Sequence, residues 1–210
     1  MTDAATPTAM PAVTGLVLAG GGGVRMGGVD KGLIPWRGAT LIETVLAGLR
    51  PQVEQILISA NRHHDRYARF GHPVIADTVT GCQGPLAGML AGMARATTPL
   101  LLVVPCDCPA VPPDLAQRLA AALHAERADL AVAHDGQRLQ LLHVLLHTRL
   151  LDALRRYLES GERRVGGWYQ SLRMATVDCS DAADLFLNLN TPQDLAAASS
   201  GGDKPPTAVN

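Results

Sequence analysis

Aromatic side chains make up only 3% of this 210-residue chain, although 47% of it is apolar, so its core has to be built from Leu, Val, Ile and Ala. Charge of either sign is in no excess. The net charge of −1 gives no support for a protein that holds nucleic acid or a membrane surface by bulk attraction, and any anionic ligand must be held by local charges. No apolar run approaches the roughly 20 residues of a membrane span. The opening stretch, MTDAATPTAMPA, has neither a basic start nor an apolar centre, so no secretory signal is expected. The cysteines, Cys82, Cys106, Cys108 and Cys179, form no disulfide framework. The expected location is the reducing cytoplasm.

Glycine, by contrast, is concentrated. The apolar run Gly15 to Ala19 breaks into Gly20-Gly21-Gly22-Gly23, followed by Arg25, Gly27-Gly28 and Lys31. Consecutive glycines after a buried strand leave backbone N–H groups bare, and an anion can approach them without meeting a Cβ. With two basic residues beside them, they form a cradle for a polyphosphate. It is not a Walker A loop, because Asp30 precedes Lys31 and Gly32 follows it. The dinucleotide fingerprint also fails: frames opened at Gly20, Gly21, Gly22 and Gly23 break at Arg25, Met26, Val24 and Arg25.

Apolar and helical patterns then alternate. Thr40 to Leu49 reads as a helix opened by a capping box, Thr40 with Glu43. Strands are expected at 53–59 and 73–76, the second ending at Asp77. Gly84-Pro85 opens a helix over 85–94, with proline at its first position. Leu100 to Val104 is unbroken apolar sequence, as in a strand buried on both faces, and it ends at Pro105-Cys106-Asp107. A helix over 114–126 follows. The segments 129–134 and 139–147 pair across a turn at Asp135-Gly136. A helix over 150–160, the polar stretch GERRV at 161–165, strands at 173–177 and 185–189, and a closing helix capped by Thr191 complete the chain. The alternation predicts a single α/β domain over 14–198, with disordered tails at 1–13 and 199–210. Its sheet is mostly parallel, with helices on both faces. Ligands of such sheets bind where the strands end, which brings together the Gly20 loop, Asp77 and Asp107.

The chemistry follows from the residue types. Mg²⁺ takes one or two carboxylates plus phosphate oxygens and water, so Asp107 beside a polyphosphate cradle suffices. Cys106 and Cys108 lack the spacing and the second pair of a structural zinc site. No nucleophile elbow occurs. Transfer at an α-phosphate needs none, since an acceptor phosphate attacks in line while Mg²⁺, Lys31, Arg25 and loop amides stabilise the developing charge.

The segments LAGGGGVRMGGVDK (18–31), Ala60-Asn61-Arg62-His63, GPLAG (84–88), PCDCP (105–109), GERRV and NLNTP (188–192) occur in order from Gly15 to Leu195. As a set they resemble the MobA-like nucleotidyltransferases that guanylylate the molybdenum cofactor. The resemblance implies a Rossmann-like single domain of the nucleotide-diphospho-sugar transferase type, and transfer of GMP from GTP to the terminal phosphate of molybdenum-molybdopterin, with Mg²⁺ required. Carried over by position, Leu18, Ala19, Gly20 and Gly21 would hold GTP through backbone. Arg25 and Lys31 would face phosphates, Ser59 and Asp77 would belong to the GTP site, and Asp107 would bind the metal. Gly84, Gly88, Arg164, Asn188 and Asn190 would lie on the molybdopterin side. Molybdenum-insertion enzymes and molybdoenzyme chaperones are the implied partners, with neither nucleic acid nor membrane.

Two departures stand out. Ser59 occupies a position where the family often carries Asn, and the segment Gln140-Leu141-Leu142 lacks the family's proline. Asp77 is the candidate guanine selector, because one carboxylate can accept from both N1–H and the 2-amino group. The alternatives are a cytidylyltransferase using CTP on the same acceptor, a sugar-1-phosphate nucleotidyltransferase, and a GTP-binding regulator without catalysis.

Overall fold

A computed structural model of the chain describes residues 11–20, 30–77, 84–189, 191 and 193–195. Its seven-stranded sheet is built around β1 (Val13–Leu18) and β6 (Leu100–Pro105), which pair in parallel, Val13 opposite Leu100 through Leu18 opposite Pro105. All of β6 is buried, as an unbroken Leu/Val run requires. β4 (Gln55–Ser59) and β5 (Val74–Ile75) add parallel strands on one side of β1. On the other side of β6 lies β8 (Leu139–His147), antiparallel to both β6 and β7 (Leu130–His134), and β9 (Met174–Asp178) pairs in parallel with β7. The order is β5-β4-β1-β6-β8-β7-β9, so the sheet is mostly parallel as expected. A separate two-stranded ladder, β2 (Pro35–Trp36) with β3 (Ala39–Thr40), leads into the first helix.

Helices cover both faces. α1 (Leu41–Leu49) and α4 (Leu115–Ala125) press Val45, Leu49, Leu115 and Leu119 onto Val17, Ile58, Leu102 and Val104. α3 (Pro85–Arg95), α5 (Leu151–Glu159) and α6 (Val165–Gln170) pack Met89, Leu154 and Trp168 against Leu16, Leu57, Leu101 and Val103. A short α2 (His64–Ala68) bridges β4 and β5. The Thr40–Glu43 capping box is present, each side chain bonding the other's backbone N–H, and the Thr40 hydroxyl, followed by the Thr40 backbone N–H, holds the Glu43 carboxyl below the usual range. β1 begins one residue ahead of the expected start of the domain at 14.

Two elements differ from expectation. No strand forms over 185–189: Ser180–Phe186 is 3₁₀-helical and 187–189 is irregular. The backbone there bonds to the exit of β6 instead of a ladder. Leu189 N–H donates to the Asp107 carbonyl (2.8 Å), and the Leu185 carbonyl accepts from the Cys108 thiol (3.3 Å). Phe186 turns inward and meets His143 edge-on at 4.9 Å. The second difference is α6, whose Gly166-Gly167 start has poor helix propensity. Burial of Trp168 and Tyr169 outweighs that cost, and the Tyr169 hydroxyl donates to the Leu141 carbonyl (2.9 Å).

Candidate active site

Four chain segments meet at the carboxyl ends of β1, β4, β5 and β6. Leu18 and Ala19 are stitched to both neighbouring strands. Cys106 N–H donates to the Leu18 carbonyl (3.0 Å), and Ala19 N–H donates to the Ser59 carbonyl (2.8 Å). Gly20 then runs past Asn61: a Cβ at Gly20 would lie 3.7 Å from the Asn61 backbone nitrogen and from its Nδ2. Leu18 and Ala19 are thus bonded through their backbone to the two strands that flank them, and Gly20 lies against Asn61.

Asn61 in turn grips Asp77. Its Nδ2 donates to Asp77 Oδ2 (2.8 Å), and its Oδ1 accepts the Asp77 backbone N–H (2.9 Å). Burial raises the Asp77 carboxyl above its ordinary range, and the Asn61 amide partly offsets that rise. Sequence reasoning placed Asn61 in a motif but not in the site. The signal available was its position two residues beyond the end of β4, level with the glycine loop.

Lys31 and Asp107 form the polar centre. The Lys31 ammonium lies 3.3 Å from Asp107 Oδ2, with their side chains 27% and 24% exposed, so both remain accessible to a ligand. Asp107 is placed by the rigid β6 exit, and by the Leu189 bond to its carbonyl. Asn188, the residue before Leu189, is exposed. The flanking Cys106 and Cys108 are buried thiols, Cys108 pushed up to about 12 chiefly by burial. Among the described residues no group of three His, Cys, Asp or Glu side chains forms a metal cage. Asp107 alone beside Lys31 suits a metal that takes most of its ligands from phosphates and water.

α3 approaches from above. Gly84 caps its N-terminus with φ +140°, a conformation L side chains rarely adopt, and a Cβ there would meet open space. Gly88 is a packing position: a Cβ there would come within 2.6 Å of Ser59 Oγ and 2.8 Å of Leu18 Cδ2. Ser59, 3% exposed, is therefore enclosed beneath α3. With Gly88 against Leu18 and Gly92 against Leu16, α3 runs opposite to β1, and its N-terminal dipole end lies on the site's side of the sheet. The β8 register jumps from Val144 opposite Val132 to Gln140 opposite Ala133, bulging Leu141, Leu142 and His143 beside the β6 exit. Exposed Arg164 caps α6, its carbonyl accepting from the Tyr157 hydroxyl (3.0 Å) and from Trp168 N–H (3.1 Å). Gly21, Arg25 and Asn190 lie outside the described residues.

The chain matches the family model for the MobA-like NTP transferase domain over residues 15–175. It is 45% identical over 183 residues to a molybdenum cofactor guanylyltransferase of Shewanella loihica, covering 87% of this chain and 93% of that protein. A protein of the same name from Shewanella amazonensis is 46% identical over the same shares. Among solved structures, molybdopterin-guanine dinucleotide biosynthesis protein A of Archaeoglobus fulgidus superposes with a TM-score of 0.76. The match is at 23% identity and covers 89% of this chain and 97% of that one. The Leu18–Gly20 strand exit, the Lys31–Asp107 pair beside it and this similarity along most of the length agree: the chain belongs to the MobA-like NTP transferases, a family of nucleotidyltransferase enzymes.

Proposed function

We propose that this protein transfers GMP from GTP to the terminal phosphate of molybdenum-bound molybdopterin, releasing pyrophosphate. The observation that carries the reading is the 45% identity, along 87% of the chain, to a protein named for that activity. In the reaction an acceptor phosphate oxygen attacks Pα of GTP, and the bond from Pα to the bridging oxygen breaks. Pyrophosphate leaves with the electron pair, and no protein nucleophile is consumed.

The chain's own residues divide the work. The backbone of Leu18, Ala19, Gly20 and Gly21 holds the nucleotide, Asp77 accepts from the guanine edge, and Ser59 belongs to the GTP site through its backbone carbonyl, which holds Ala19 N–H. Lys31 and Arg25 face the triphosphate and stabilise charge on the departing pyrophosphate. Asp107 would hold Mg²⁺, which when bound neutralises phosphate oxygens and lowers the cost of bringing two anions together. Gly84, Arg164, Asn188 and Asn190 serve the acceptor, which the bulged Leu141–His143 segment borders, and Gly88 serves that side only by letting α3 pack closely on Leu18 and Ser59. The setting is the cytoplasm, with molybdenum-insertion enzymes and molybdoenzyme chaperones as neighbours in delivery. No helix among the described residues is long and apolar enough to cross a membrane.

The test is to incubate purified protein with Mg²⁺, GTP and molybdenum-loaded molybdopterin and to measure pyrophosphate, with CTP in a parallel arm. GTP should support release and CTP should not. Asp107→Ala should lose turnover by at least about a hundredfold, as expected when transition-state charge stabilisation is removed. Equal rates with CTP would point to the cytidylyl alternative, and retained turnover in Asp107→Ala would refute the metal role.

A further inference from the structure

Tyr67 lies outside every residue assigned above. It sits on α2, fully buried, with its ring in the core cluster that α1 and α4 also join and Phe70 beside it. A buried phenol needs a partner for its O–H, and many find a backbone carbonyl. Here the hydroxyl donates to Oδ1 of Asp30 at 2.5 Å, the residue immediately before Lys31. Burial, followed by that hydrogen bond, pushes the phenol well above its ordinary range, so it stays a donor at any pH at which the enzyme works.

A second contact falls on the same hydroxyl. A Cβ at Gly32 would lie 2.7 Å from the Tyr67 hydroxyl oxygen, so the chain beyond Lys31 passes directly over it. Between these contacts the backbone makes a 3₁₀ turn, with Leu33 N–H donating to the Asp30 carbonyl and Ile34 N–H to the Lys31 carbonyl, each at 3.1 Å. Leu33 anchors the turn in the core. Tyr67 therefore touches the residues on both sides of Lys31, while Lys31 itself reaches Asp107.

We propose that Tyr67 is a positioning residue: through Asp30 and the backbone of Gly32 its hydroxyl sets the turn that aims Lys31 at the reacting phosphates. The role rests on the nucleotidyl-transfer reading above. Lys31 is reached by a long flexible side chain, so its contribution depends on how firmly its backbone is held. Small displacements of a catalytic group cost rate more than binding.

Tyr67→Phe keeps the ring and deletes the donor. Its kcat for pyrophosphate release should fall about tenfold, the scale of a lost hydrogen bond to a charged group, with KM for GTP changed less than about twofold. Hydrogen exchange at the Leu33 and Ile34 amides, measured without substrate, should accelerate in the same variant. Asp30→Asn retains an acceptor oxygen and should keep kcat within about threefold of wild type, whereas Asp30→Ala should match Tyr67→Phe. The double variant Tyr67→Phe/Asp30→Ala should be no slower than Asp30→Ala, since both delete one interaction. A Tyr67→Phe protein with lowered melting temperature and wild-type kcat would make Tyr67 a packing residue and overturn the proposal. So would losses that multiply in the double variant, or unchanged exchange at Leu33 and Ile34. Should Tyr67→Phe fail to fold, the Asp30→Ala and Asp30→Asn pair decides by the same readouts. A wild-type protein that releases no pyrophosphate would refute the assigned reaction, and the exchange measurement would still decide the part played by Tyr67.

Discussion

Replacing Asn61 with alanine removes both bonds that hold Asp77, the 2.8 Å donation to Oδ2 and the 2.9 Å acceptance from its backbone N–H. A hydrogen bond to a charged group contributes about 1.5–3 kcal/mol when buried. This pair faces solvent and water partly replaces what is lost, so roughly 1–2 kcal/mol is the expected share. At 1.36 kcal/mol per decade that is about a 5- to 30-fold fall in kcat/KM for GTP. The Asp77 carboxyl, already raised by burial, loses the one bond that lowers it and moves further up. Because the carboxylate form reads the guanine donors, activity with GTP should then be lost at a higher pH as the solution is acidified. The assay is steady-state pyrophosphate release with GTP and, at high concentration, CTP, each across pH 5 to about 8. Asn61→Ala should lower kcat/KM for GTP, chiefly through KM, shift the acid limb upward and leave the CTP rate unchanged. Asn61→Asp, which sets a like charge beside Asp77, should do the same more strongly. Equal losses with both nucleotides, or an acid limb that does not move, would refute the reasoning and reduce Asn61 to a loop support.

Two further outcomes follow from packing and from burial. Gly88→Ala puts a methyl group 2.6 Å from Ser59 Oγ and 2.8 Å from Leu18 Cδ2, so overpacking should destabilise the protein by about 1–3 kcal/mol in denaturant unfolding. Because Leu18 and Ser59 are displaced, KM for GTP should rise as well; wild-type stability would contradict the close approach of α3. His143 is 1% exposed, with no hydrogen-bond partner for Nε2 among the described residues, and burial lowers it from 6.5 to about 3. The unfolded chain therefore binds this proton more readily, and stability present at pH 7 is lost as pH falls through 6.5 toward 3. The loss from His143 alone between pH 7 and pH 5 is about 2 kcal/mol. In His143→Leu the unfolding free energy should fall correspondingly less over that interval, and identical pH slopes in the two proteins would disprove it.

Patterns set by neighbouring residues were legible in the chain before folding. The capping box at Thr40 and Glu43, the proline opening α3, the apolar run of β6 and the hairpin of β7 with β8 all depend on local geometry. All four form as read. The places where reading failed are those where distant contacts outweigh local preference. Residues 185–189 have a strand-like composition, yet their backbone bonds to the exit of β6 and Phe186 turns onto His143. Gly166-Gly167 disfavours a helix, yet burial of Trp168 and Tyr169 makes one.

The site divides in the same way. Strand ends follow from where apolar runs stop, so the sequence alone could assign the Gly20 loop, Asp77 and Asp107 to one end of a parallel sheet. Side-chain pairing across that edge involves residues far apart in the chain, and no spacing rule reports it. Folding brought Asn61 against Asp77, Lys31 against Asp107 and Tyr67 beneath Asp30. It also showed that Gly88 is small because α3 presses on Ser59 and Leu18. Composition and periodicity determined the kind of sheet and which of its ends carries the chemistry. Which side chain holds which was decided by tertiary contacts, because such bonds depend on distances that exist only once the strands are paired.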